Sequence, residues 1–370
     1  MSIDASSPTS SAQPTEPEVI VRRAGHLGHI VLNRPKALNA ITPGMVDTVR
    51  AALDEWRQDD GVRTVLVSGA GERGLCAGGD IVNLHRTVTE GHPQDADHFF
   101  DIEYTMNGEI ADYPKPFVAF MDGIVLGGGV GISAHGSHRI VTERTRLGMP
   151  ETGIGFFPDV GGSWLLARAP AGFGTHMALT SQHVTGADAL ALSFADHFVP
   201  SESLGDLARA LETQEAHEAI TAVAVQAPAA PLFEHRRWIE SAYAAATAEE
   251  IVAALEADGD PAAVEAATQI QAKSPTSVKV TLELVRRAAQ MSSVHEVLDQ
   301  NRRVAYHLIR SDDMSEGIRA QLVDKDRNPR WNPATLEDVR DEDVARVFAG
   351  ADTDHSSSTP AVTALKETLS

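Results

Sequence analysis

A single cysteine, Cys76, occurs in 370 residues, which excludes an intramolecular disulfide and fits a reducing compartment. Lysine is scarce as well, and none of the six follows a glycine, so the chain has no P-loop lysine. No apolar run reaches the ~18 residues of a membrane span. No G-x-S-x-G nucleophile elbow occurs, and no Lys/Arg cluster offers a surface for tracking nucleic-acid phosphates. The pairs His26/His29 and His135/His138 have i,i+3 spacing, but no carboxylate or cysteine completes a ligand set, so no metal site is expected. The opening MSIDASSPTSSAQPTEPE lacks the cationic and apolar regions of a secretory signal. It carries acidic residues and no arginine, unlike a mitochondrial presequence, so a cytoplasmic location is expected.

The chain is 42% hydrophobic, enough for one large core or a core with a smaller helical part. Its formal net charge of −21 implies a self-repelling surface, and a polyanionic ligand would need a local basic patch. Residues 1–18 and 351–370 have the Ser/Pro/Thr bias of disordered tails. Val19–Asn33 reads as a hairpin. Thr42-Pro43 opens a helix with Met45, Val46, Val49, Leu53 and Trp56 on one face. Val62–Ser68 and Pro116–Met121 read as strands, Asp80–Asp112 as a helix interrupted at His92-Pro93, Gly129–Ser137 as a small-residue helix, and Arg139–Thr142 as a strand. From Ala187 onward helix follows helix. Strand–helix alternation predicts an α/β core over 19–200, with a helical region over 201–350.

Three clusters carry the chemistry. Cys76-Ala77-Gly78-Gly79-Asp80 and Gly127-Gly128-Gly129-Val130-Gly131 each lie between a strand and a helix. Glycine leaves a backbone N–H open to close approach, and two such amides converging on a carbonyl would make an oxyanion hole. For either run alone, a tight turn with close helix packing is the better account. Residues 129–134 also fit the dinucleotide fingerprint, but the strand that should feed the turn is displaced by Asp122-Gly123. The third cluster is MPETGIGFFPDVGG, residues 149–162, where Glu151 and Asp159 sit among apolar, Gly and Pro neighbours. Desolvation there would raise their pKa values and make them better bases. Helix capping and turn formation are the plain alternatives. Cys76 has no histidine near it in sequence and reads as a small buried packing residue.

With Asn33-Arg34-Pro35-Lys36-Ala37-Leu38-Asn39-Ala40 upstream, the three clusters resemble the crotonase (enoyl-CoA hydratase/isomerase) superfamily over roughly residues 19–200. The resemblance implies an α/β fold, a crotonase-like stacked ββα spiral core with a C-terminal helical extension. It implies an acyl-CoA substrate with Lys36, Ala37, Leu38, Ala77 and Asp80 along it, and an oxyanion hole from the amides of Gly79 and Gly128. Hydratases of the superfamily carry a second catalytic glutamate where this chain has Gly131; they have glycine where it has Asp159. MPETGIGFFPDVGG and Gly317–Pro333 resemble the 3-hydroxyisobutyryl-CoA hydrolase branch, in which the position of Glu103 contacts substrate. Thioester hydrolysis, with Glu151 and Asp159 as catalytic residues, is therefore the expected activity. A hydratase or isomerase using Glu151 alone, and a non-catalytic acyl-CoA-binding protein, are the alternatives. No cofactor is expected beyond the coenzyme A of the substrate, and no nucleic-acid or membrane partner. Either a homo-oligomer (trimer or hexamer) or a monomer is compatible.

Overall fold

A computed structural model describes residues 16–349. The tails expected at 1–18 and 351–370 lie outside them, apart from residues 16–18. Glu18 is held in place: its carbonyl accepts the Asn33 amide at 2.7 Å and its carboxylate meets Arg34 at 3.0 Å.

The chain builds two sheets by alternating between them. The strands are β1 (Val19–Ala24), β2 (Leu27–Leu32), β3 (Thr64–Gly69), β4 (Gly74–Cys76), β5 (Phe117–Met121), β6 (Ile124–Leu126), β7 (His138–Val141), β8 (Arg146–Gly148), β9 (Val184–Thr185) and β10 (His197–Phe198). The larger sheet runs β1-β2-β3-β5-β7-β10 and the smaller β4-β6-β8-β9. The β1–β2 hairpin is antiparallel; β2, β3, β5, β7 and β10 are parallel. Each turn of the spiral lays one strand in the large sheet, one in the small sheet, and then a helical or irregular return. This is the stacked ββα core that the sequence implies. β5 is buried along its whole length, as expected of a strand covered on both faces.

Local chemistry sets the connecting helices. Thr42 caps α1 (Pro43–Gln58) by accepting the Met45 amide, and Met45, Val46, Val49, Leu53 and Trp56 form its buried face. Asp80 caps α2 (Ile81–Thr89), and Pro93 starts α3 (Pro93–Ala111) after the expected break. α4 (Gly128–Ser133) is shorter than the reading Gly129–Ser137, because the Gly136 amide turns back onto the Ser133 carbonyl. From Leu204 to Ala349 the regular elements are helical. These helices complete the molecule's main buried cluster, which runs from Val19 to Phe348. No helix among the described residues is long and apolar enough to cross a membrane.

Candidate active site

The spiral places the three chemical clusters side by side. β4, β6 and β8 are adjacent and parallel in the small sheet. Their carboxyl ends lead into Ala77-Gly78-Gly79, Gly127-Gly128 and Met149-Pro150-Glu151. Parallel α/β sheets characteristically bind ligands outside such strand ends. A cavity of about 610 Å³ opens there, lined among others by Ala37, Gly79, Gly128, Glu103, Glu151 and Asp159. Its volume falls in the range of small-molecule sites.

Two backbone amides in this cavity are unspent. Among the described residues, the N–H groups of Gly79 and Gly128 donate to no protein acceptor, while their neighbours do: Ala77 to the Leu38 carbonyl, Asp80 to the Ile41 carbonyl. The two glycines abut. A Cβ on Gly128 would lie 3.3 Å from the Gly79 nitrogen and 2.7 Å from Glu103 Oε1. At Gly127 the backbone takes φ 51°, and a Cβ would meet Glu151 Oε1 at 2.8 Å. Gly127 and Gly128 are thus both required by close approach, and Gly127 by turn geometry as well.

Of the four carboxyl groups on the cavity wall, Asp80 is partly exposed and the other three form a buried set. Glu103 comes from α3, Glu151 opens the short 3-10 turn Glu151–Ile154, and Asp159 lies in the loop before the helix Gly162–Arg168. All three are buried. Burial, reinforced by the charge of Asp159, pushes the Glu103 and Glu151 carboxyls well above the ordinary carboxylate range. Burial also raises Asp159, to about 7, against the opposing hydrogen bond from Tyr104. Glu103 Oε1 and Glu151 Oε2 have no hydrogen-bond partner among the described residues, whereas Asp159 Oδ2 accepts the Tyr104 hydroxyl at 2.7 Å. Buried oxygens left without a donor are costly, and an active site is a common reason to retain them.

Asp159 is positioned by a strained turn. The next residue, Val160, has φ 49°, an uncommon conformation for a β-branched side chain. Two distant residues fix it: His135 donates Nε2–H to the Val160 carbonyl at 2.8 Å, and Asn301 Oδ1 accepts the Gly161 amide at 3.0 Å. Burial lowers the His135 pKa to about 4, so the ring is neutral, and the bond to the Val160 carbonyl fixes its proton on Nε2. Gly131, where the hydratases have glutamate, is packed against this same turn. A Cβ there would lie 2.7 Å from the Val160 Cβ and 2.9 Å from Asn107 Nδ2.

The remaining expected residues separate into two groups. Ala37, Ala77, Asp80 and Glu103 line the cavity; Lys36 and Leu38 do not, though Leu38 accepts the Ala77 amide. Asp80 also holds the Arg34 guanidinium at 3.0 Å. Phe156 lines the cavity and stacks on Phe100, while Phe157 is core. Cys76 is buried, and burial pushes its thiol up to about 12, which leaves it unreactive. Composition offered no pointer to Tyr104, His135, Asn301 or Lys273. Only Tyr104, beside Glu103, could have been found by adjacency. Among the described residues no three His, Cys, Asp or Glu side chains gather as a metal-ligand set.

Residues 27–348 match the family described as Enoyl-CoA hydratase/isomerase. The 3-hydroxyisobutyryl-CoA hydrolase, mitochondrial, of Rattus norvegicus is 39% identical over 346 residues, 90% of this chain and 88% of the relative. The Homo sapiens protein of the same description is 37% identical over 349 residues, with the same coverage. Among solved structures, one titled as a carnitinyl-CoA dehydratase from Mycobacterium thermoresistibile superposes with a TM-score of 0.88 at 49% identity, covering 90% of this chain and 97% of that one. Another, titled as an enoyl-CoA hydratase from Rhodobacter sphaeroides 2.4.1, gives 0.85 at 40% identity, covering 90% and 98%.

Proposed function

The chain belongs to the enoyl-CoA hydratase/isomerase family, and from that premise we propose that it hydrolyses a short 3-hydroxyacyl-CoA thioester, 3-hydroxyisobutyryl-CoA in particular. The observation that carries the reading is the exchange of one carboxylate position for another. At residue 131 the packing of Val160 and Asn107 leaves no room for a side chain, while at residue 159 a buried carboxyl faces the cavity under a dedicated hydrogen bond. Water addition across a double bond calls on two proton-handling groups at the α and β carbons. Thioester hydrolysis needs one attacking group and an oxyanion hole.

The chemistry then runs as follows. Glu151 supplies the attack on the thioester carbonyl, either as nucleophile, giving a mixed anhydride, or by taking a proton from water. The carbonyl electron pair moves onto oxygen, where the Gly79 and Gly128 amides receive it. Collapse of the tetrahedral adduct breaks the C–S bond, and the thiolate leaves with little acid assistance, since thiols have pKa values of about 8.5. Where the anhydride forms, water cleaves it and restores the Glu151 carboxylate. Asp159, with one oxygen tied to Tyr104, keeps the other for the incoming water or the substrate 3-hydroxyl. No step calls on a cofactor.

The titles of the two solved structures favour a second reading, water addition or elimination. A panel that follows free-thiol release from 3-hydroxyisobutyryl-CoA and hydration of crotonyl-CoA decides between them. Thiol release that is lost in Glu151→Gln supports hydrolysis; hydration without thiol release overturns it. We also assign the protein to the cytoplasm, although the vertebrate relatives are described as mitochondrial. Cell fractionation tests that assignment, and size-exclusion mass the oligomeric state.

A further inference from the structure

The cavity wall holds four acidic residues, Asp80, Glu103, Glu151 and Asp159, and a single basic one, Lys273. The placement of that lysine is unfavourable on every count that the fold supplies. It is half-buried and, among the described residues, its ammonium has neither an ion-pair nor a hydrogen-bond partner, although the chain has 52 acidic residues and 31 basic ones. It directly precedes Ser274, the cap of the helix Pro275–Gln290, where the helix dipole disfavours positive charge. Desolvation holds its ammonium below the ordinary lysine range. Its Nζ faces the cavity 3.9 Å from the point a Cβ on Gly153 would occupy, and Ser181 Oγ lies at the same distance from that point.

The candidate arginines for an anion are already committed. Arg34 meets Glu18 and Asp80 and donates to the Ala40 carbonyl at 2.6 Å. Arg286 donates to the Ala245 carbonyl at 2.8 Å and to that of Ala246, and Arg287 is paired with Glu283. Arg236 and Arg237 hold Glu240 and Asp258. Lys36 is exposed and off the cavity lining. A polyanionic substrate entering a chain of net charge −21 must be met by a cation that is not already neutralised.

We propose that Lys273, on the same cavity wall as Ser181, whose hydroxyl is bonded to that of Thr152, is an anion subsite of the cavity that seats an anionic oxygen of the acyl-CoA ligand. The inference rests on the acyl-CoA reading above. Two sources share this chemistry, a phosphate of coenzyme A and the carboxylate of the released acid, and the experiment distinguishes them. Binding of free coenzyme A, pantetheine and 3-hydroxyisobutyrate is measured by calorimetry on the wild type, Lys273→Met and Lys273→Arg. Circular dichroism and thermal melts verify that each variant folds.

A phosphate contact predicts about tenfold weaker coenzyme A binding in Lys273→Met, recovery in Lys273→Arg, and no change for pantetheine. A carboxylate contact predicts that loss and rescue for 3-hydroxyisobutyrate, with coenzyme A unchanged. Either result supports the subsite and identifies its source. Wild-type affinities retained by a folded Lys273→Met overturn it. Failure of the acyl-CoA reading itself looks different, because coenzyme A would then not bind the wild type at all.

Discussion

Replacing Asp159 with asparagine is expected to stabilise the protein while removing its activity. The folded-state pKa of about 7 stands well above the 3.8 of an ordinary aspartate. Between those values the folded protein binds a proton that the unfolded chain does not, so stability falls as pH rises through the window. At ~1.4 kcal/mol per tenfold change in acidity, that rise corresponds to ~4 kcal/mol at pH 7 and above. Asparagine keeps the shape and can still accept the Tyr104 hydroxyl, but it never carries the charge. Asp159 also adds to the upward shifts of Glu103 and Glu151, so its loss relieves both. With unfolding entropy of about 2 cal/mol/K per residue, a gain of 2–4 kcal/mol raises the melting temperature of a chain this long by about 3–6 °C. Thermal melts of wild type and Asp159→Asn at pH 8 and pH 5 provide the assay. The variant is expected to be the more stable at pH 8, with the gap less than half as large at pH 5. A variant that melts lower than wild type at pH 8, or a gap indifferent to pH, refutes the reasoning.

Three further outcomes follow from the same geometry. Gly128→Ala places a methyl 2.7 Å from Glu103 Oε1 and beside the Gly79 amide, so thiol release is expected to fall by about 10²–10³ in kcat, measured in a steady-state thioesterase assay. Gly131→Glu is expected to create no hydratase: overpacking against Val160 and Asn107 destabilises the fold by about 1–3 kcal/mol, read by denaturant melts, and crotonyl-CoA hydration stays at background. Tyr104→Phe removes the donor that holds the Asp159 pKa down, and the acid limb of the pH–rate profile is expected to move to higher pH.

The residues that could be read in the sequence are those in compositionally odd stretches. Gly79, Gly128, Glu151 and Asp159 all stand in Gly/Pro-rich segments that punctuate a strand and a helix, and the cavity gathers all four. What supports them was hidden by distance. Asn301 reaches the Asp159 turn from 140 positions away, and Lys273 reaches the cavity from a helix end that looks like any other Ser-Pro start. The small sheet was equally hard to foresee. Its strands β4, β6 and β8 have three residues each, too few to show an alternating pattern. The helices Gly162–Arg168 and Phe173–Thr180 escaped notice because each begins beside a left-handed glycine, Gly161 or Gly172, which in sequence reads as loop. The family resemblance implies that NRPKALNA lies along the ligand, yet of Lys36, Ala37 and Leu38 only Ala37 is on the lining.

The cavity draws its wall from both ends of the chain, from Ala37 near the start to Gln321 and Leu322 near the end. At a synthesis rate of roughly 5–20 residues per second, the last of these leaves the ribosome about half a minute after the first. Through that interval the site lacks the part of its wall that Gln321 and Leu322 supply. The cavity is therefore complete only once nearly the whole chain has been made.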